Sequence, residues 1–300
     1  MDEKYLNQVN LVVGALQHVS KEDCFALKGG TAINLFYNNL PRLSVDIDLT
    51  YLGFETRDDA CKNINLALER ILKSLKDAGY SAVIQGNNIE KKIICSNEDA
   101  SIKIEPNYII RGYISKPELM TTCEAVEDKF GFAEIQVISK SELYGGKICA
   151  ALDRQHPRDL FDINEYFMRN DFNLELTKGF ITMLLSHDKP LHETLNPNVN
   201  DQTEIFEKQF IGMTESSFTY QNHIETLTRL INAVKNNISS YKDLLLDFIS
   251  LKVNLEDFNI PNLDKLPAVK WKLYNLKKLQ SSNSEKFKEQ YILLKKYFES

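Results

Sequence analysis

The 300 residues hold only five cysteines, and no two of them form a CxxC pair or cluster with histidine at metal-ligand spacing. Cys24, Cys61, Cys95, Cys123 and Cys149 are an odd, dispersed set, which gives neither a disulfide framework nor a structural zinc site and fits reduced thiols in a cytoplasmic protein. Apolar runs of membrane-spanning length are missing, and MDEKYLNQVN lacks the basic start and apolar stretch of a signal peptide, so a soluble chain with no membrane partner is expected. Basic surplus is missing too. With 36 Lys and Arg against 42 Asp and Glu the net charge is −6, which argues against a coat for nonspecific nucleic-acid binding and leaves room for a local basic cleft. The histidines show no HExxH spacing, and there is no GxSxG nucleophile turn.

What is present is an ordinary globular composition, 43% apolar and 26% charged, long enough for one large domain or two modest ones. Leu6, Val9, Val12, Val13 and Leu16 repeat at helical spacing over 3–20. TAINLFYNNL, entered at Thr31 after a glycine pair, predicts a short helix ended by Pro41, and SVDIDLTYL alternates as a strand. A helix over 60–75 precedes strands at 81–85, 91–96 and 101–109, separated by turns at GNNIE and NEDA, and 133–139 reads as a further strand. Helical spacing returns in KSELYGGKICAALD and, after Pro157, in RDLFDINEYF. Beyond residue 168 strand signals fade, and helical segments at 174–186, 203–210, 221–237, 241–250 and 283–298 alternate with the loops HDKPLHETLNPNVND and NIPNLDKLPAV. Seven of the eight arginines lie between Arg42 and Arg169, whereas basic residues beyond 264 are all lysine. Arginine's forked donors make the first part the place to seek an anion site; the lysine-rich end reads as a solvated helix face, with tRNA contact as the alternative.

Asp46 and Asp48 stand two apart on a strand, so their carboxylates share a face about 7 Å apart along the chain and can converge on a divalent cation. Hard oxygen donors suit Mg²⁺ or Mn²⁺. A solvated strand edge is the usual origin of an isolated DxD, but here KGGT precedes it. Gly29 and Gly30 permit a close backbone turn whose N–H groups, with the Thr31 hydroxyl, would face a phosphate, and Arg42 and Ser44 lie between turn and acids. On a later strand Glu105 would complete a cation site or else form a polar face with Lys103. Lys147, after a second glycine pair, would neutralise polyphosphate. Asp159 and Asp162, three apart, fall on neighbouring helical positions, and Asp159 with Arg158 reads equally as a helix-start ion pair.

In order and approximate spacing, KGGTAINLFYNNLPRLSVDIDL, IKIEPNYIIRG and ELYGGKICAALDRQHPRDLFDI resemble the AbiEii/AbiGii-type toxin family of bacterial nucleotidyltransferases, within the DNA polymerase beta-like superfamily, over residues 28–165. The resemblance implies an α+β fold: a polymerase beta-like core with a small mixed sheet packed by helices over 1–168, followed by a mainly helical C-terminal region over 169–300. It implies metal binding by Asp46, Asp48 and Glu105, nucleotide binding by Gly29, Gly30, Thr31, Arg42, Ser44 and Lys147, and a later motif acid at Asp162, with Asp159 competing for that place. The implied chemistry is attack by an acceptor hydroxyl on the α-phosphate of an NTP with Mg²⁺ or Mn²⁺ as cofactor. A toxin of a toxin–antitoxin or phage-defence pair follows, with a cognate antitoxin as partner and a tRNA 3′ end as the leading acceptor. The competing readings are a DxD-dependent glycosyltransferase and a noncatalytic nucleotidyltransferase-fold module that binds protein.

Overall fold

The computed structural model describes residues 1–87 and 89–300, so Asn88, within the expected turn GNNIE, lies outside the described residues. The α+β chain divides into two compact units, residues 1–139 with 210–217 and residues 140–209 with 218–300.

The first unit is built on one mixed sheet of β1 (Phe25–Lys28), β2 (Ile47–Tyr51), β3 (Ser81–Gly86), β4 (Lys91–Ser96), β5 (Ser101–Asn107), β6 (Glu118–Thr121) and β7 (Glu134–Val137), in the order β3-β4-β5-β2-β1-β7-β6. β2 runs parallel to β5 and β1 parallel to β7; the other neighbours are antiparallel. Its helices are α1 (Glu3–Val19), α2 (Gly29–Ala32), which passes into a π-helical turn over Ile33–Tyr37, α3 (Arg57–Asp77) and α4 (Glu124–Phe130). α3 starts where Thr56 accepts the Asp59 N–H and where Asp58 and Asp59 meet the positive helix end. Period-two alternation sets Leu27, Ile47, Leu49, Ile93 and Ile104 on one face, all fully buried, with α1 packed on β5 and β7 and α3 on β3 and β4. Burying each such side chain contributes about 1.5–3 kcal/mol. That anchorage forces the alternate positions Lys28, Asp48 and Glu105 onto the other face.

Residues 210–217 also belong to this unit. The Leu43 N–H donates to the Met213 carbonyl at 2.7 Å, the Asp2 N–H to the Gly212 carbonyl at 2.9 Å, and the Thr214 hydroxyl to the Pro41 carbonyl at 2.8 Å.

The second unit is helical: α5 (Lys140–Arg154), α6 (Pro157–Arg169), α7 (Leu174–Ser186), α8 (Leu191–Leu195), α9 (Thr203–Gln209), α10 (Tyr220–Ile238), α11 (Lys242–Ile249), α12 (Pro267–Ser282) and α13 (Ser284–Glu299). The boundary drawn at residue 168 falls inside this unit, because α5 packs against α7 across it. Gly145 and Gly146 lie within α5, as the helical spacing of KSELYGGKICAALD predicts. A Cβ at Gly145 would meet the Phe180 backbone nitrogen at 2.6 Å, and one at Gly179 the Glu142 nitrogen at 3.1 Å, so the two helices touch backbone to backbone. The bounds of helix α12 are not given by helical spacing, although the lysine-rich end reads as a helix face; Pro267, within the loop NIPNLDKLPAV, is its first residue, where a missing N–H costs nothing. Among the described residues no helix is long and apolar enough to cross a membrane.

Candidate functional site

The glycine turn and the two aspartates form one piece of structure. Gly29 has φ +73°, a left-handed conformation that glycine adopts without a Cβ penalty, and any Cβ there would collide with the Asp48 carboxylate. A Cβ on Gly30 would come 2.7 Å from Arg42 Nη2 and 2.9 Å from Ser44 Oγ. Conformation thus favours glycine at position 29, and close approach of these side chains favours it at both positions. Thr31 is fully buried; its hydroxyl donates to the Asp46 carbonyl at 2.5 Å and hydrogen-bonds the Ser44 hydroxyl at 3.0 Å. That hydroxyl, expected to face phosphate, fastens the turn to the residues leading into β2. Asn34 closes the turn from below, donating to the Gly30 carbonyl at 2.9 Å, and buried Arg42 donates to the Leu43 carbonyl at 2.8 Å.

Strand register adds partners that linear spacing does not show. Asp48 is the cross-strand partner of Lys28 on β1 and of Glu105 on β5, and the Glu105 carboxylate accepts from Lys92 Nζ on β4 at 2.8 Å. Four adjacent strands thus present Lys92, Glu105, Asp48 and Lys28 in a row, two carboxylates between two ammonium groups. Burial pulls the Lys28 ammonium below its ordinary value, and the Asp48 carboxylate opposes that shift. Lys28 and Lys92 were not singled out from sequence, although Lys28 adjoins the glycine pair.

Asp46 and Asp48 are half-buried. Their oxygens are of the kind Mg²⁺ or Mn²⁺ takes, with water and phosphate oxygens filling the other positions. Glu105 stands next to Asp48 in register but is engaged by Lys92, and among the described residues no three of His, Cys, Asp and Glu are grouped as a metal cage. The donor set fits a cation held open by two carboxylates.

Lys147, Asp159 and Asp162 belong to the second unit. Lys147 Nζ lies 2.9 Å from Asp159 and 3.0 Å from Asp162, and Arg154 Nε reaches Asp159 at 2.7 Å. Lys147 and both aspartates are buried. Burial pushes the Asp159 carboxyl up, but Lys147 and Arg154 outweigh it and hold the group well below the usual carboxylate range. The structure brings both competing acids to the same lysine, and Asp159 pairs with Arg154 and Lys147. Arg154 carried no signal in the sequence beyond its place at the end of α5.

A family model described as a nucleotidyl transferase AbiEii toxin of a type IV toxin–antitoxin system matches residues 11–279. Among solved structures, the chain is similar in fold to MenT4, a nucleotidyltransferase toxin from Mycobacterium tuberculosis H37Rv. The TM-score is 0.55 at 14% identity, and the match covers 84% of this chain and 96% of that one. No curated protein sequence matches.

Proposed function

Because the chain belongs to the AbiEii nucleotidyltransferase toxin family of type IV toxin–antitoxin systems, we propose that it moves an NMP from an NTP to an acceptor hydroxyl, with RNA, foremost a tRNA 3′ end, as the acceptor. The observation that carries this reading is the contact of Gly29 with the Asp48 carboxylate. A turn able to offer backbone N–H groups to phosphate is built directly onto the acids that would hold the phosphate's counter-ion.

In the proposed reaction the acceptor oxygen forms a bond to the α-phosphorus, the bond from that phosphorus to the bridging oxygen breaks, and pyrophosphate leaves. Asp46 and Asp48 would hold Mg²⁺ or Mn²⁺, which when bound supplies charge neutralisation for the phosphate oxygens. The Gly29–Thr31 turn orients the triphosphate, and Lys28 places a positive charge beside Asp48 on the same sheet face. Glu105, held by Lys92, receives the acceptor proton. Lys147, Asp159 and Asp162 enter this proposal as the buried ion cluster that ties α5 to α6. A cognate antitoxin is the proposed partner that restrains the activity.

The test is incubation of the purified protein with each α-labelled NTP, Mg²⁺ and total RNA. A labelled tRNA band with pyrophosphate release is expected, and Asp46→Asn with Asp48→Asn should abolish it while the thermal melt is kept. Turnover retained by that double variant would sink the proposal, and label on protein instead of RNA would replace the acceptor.

A further inference from the structure

Helix α12 differs from the rest of the chain in charge and in what it leaves uncovered. Its sequence PAVKWKLYNLKKLQSS carries four lysines and no acid, in a chain whose acids outnumber its bases. One stripe, Ala268, Val269, Lys272 and Leu276, is buried, and Lys272 donates to the carbonyls of Leu184, His187 and Lys189 at 3.2, 2.7 and 2.7 Å. At about 100° per residue the opposite stripe gathers Lys270, Trp271, Tyr274, Lys277 and Lys278, and all five are exposed.

Trp271 is the single tryptophan of the chain, yet it is 56% exposed, and Tyr274 is 58% exposed. Their rings stack with centroids 5.4 Å apart and planes 18° apart. Phe132 is the one other exposed aromatic among the described residues. Rings left in water forgo burial worth about 25 cal/mol per Å² of apolar surface, so a preformed exposed stack marks a surface that something else covers.

The surrounding charge selects that partner. Lysines without rings would serve a duplex backbone, and rings without lysines would serve an apolar protein surface. Both together match an unpaired strand, whose bases stack on aromatic faces while its phosphates meet ammonium groups. We propose that the exposed face of α12 binds single-stranded RNA, with Trp271 and Tyr274 stacking on bases and Lys270, Lys277 and Lys278 meeting phosphates. The choice of RNA rests on the acceptor class proposed above; the binding needs neither NTP nor Asp46 and Asp48.

The test uses the full chain and the emission of its lone tryptophan, titrated with a short single-stranded oligoadenylate at low salt. Saturable quenching is expected. Tyr274→Ala should weaken binding about tenfold, as loss of one stacking partner implies. Lys277→Gln with Lys278→Gln should keep the quenching but flatten the dependence of log Kd on log salt by about 1.4. Asp46→Asn should lose nucleotide transfer and keep the quenching, so failure of the transfer reaction and failure of this surface give different results. Unchanged emission in the presence of the RNA, unaltered affinity in Tyr274→Ala, or a response to a protein partner alone would overturn the proposal.

Discussion

At the scale of single residues, Gly29 is the position in the candidate site where conformation and close approach coincide. Its left-handed φ would cost a residue with a Cβ about 1–2 kcal/mol, and the Cβ would also push on the Asp48 carboxylate. Gly29→Ala is therefore expected to lower the melting temperature modestly and to reduce nucleotide transfer by about 100-fold, the scale associated with a misplacement near 1 Å. Transfer rate and thermal melt measured on one preparation separate the two effects; a wild-type rate would show that the turn does not set Asp48. Asp159 supports a different measurement. Its native value is depressed, so its contribution to stability is complete above the ordinary carboxylate value and is lost as pH falls through the native one. Asp159→Asn should cost about 3 kcal/mol near neutrality, because it removes one member of a buried ion cluster. In denaturant titrations the gap between variant and wild type should hold down to about pH 4 and narrow below it. A gap that widened in acid would contradict the pairing with Lys147 and Arg154.

At the scale of elements, the chain uses two glycine pairs for opposite ends. The first makes a turn. The second lies inside α5, where Gly145 rests on the α7 backbone and Gly146 meets nothing nearer than Met183 at 3.8 Å. Alanine raises intrinsic helix stability by up to about 1 kcal/mol over glycine at either position. At Gly145 that gain is outweighed, since backbone cannot step aside as a side-chain tip can, and overpacking costs about 1–3 kcal/mol or more. Gly145→Ala should thus lower the denaturation midpoint and Gly146→Ala should leave it unchanged or raise it. If both alanines shifted the midpoint the same way, the α5–α7 crossing would have to be looser than it is here. Sequence alone could not separate Gly145 from Gly146, because what distinguishes them is Gly179, more than thirty positions away on another helix.

At the scale of the whole molecule, what was legible in the sequence was local. Helical periodicity located α1, α3, α5, α6, α7, α9, α10, α11 and α13, and alternation located β2 to β5 and β7, because most of these elements bury a stripe of their own side chains. β1 and β6, whose sequences FALK and ELMT do not alternate apolar with polar, show no period, and α12 is masked by Pro267. Within the candidate site, Gly29, Gly30, Asp46 and Asp48 stand out because they are close in the chain, whereas Lys28 and Lys92 acquire their places from strand register, which is set across the sheet. Residues 210–217 show the limit most clearly. They have no periodicity, yet Met213 is 1% exposed and the segment ties down Asp2, Pro41 and Leu43, the last two on either side of Arg42. Burial of a methionine contributes about 1.5–3 kcal/mol, and the three hydrogen bonds add about 1 kcal/mol each. Together they approach the net stability of a whole domain, about 5–15 kcal/mol. Residues 1–139 produced alone should therefore melt without a cooperative transition, while the same residues joined by a flexible linker to 210–217 should melt cooperatively, as followed by circular dichroism. Equal cooperative melts for the two chains would mean that the distant segment decorates the first unit and does not complete it.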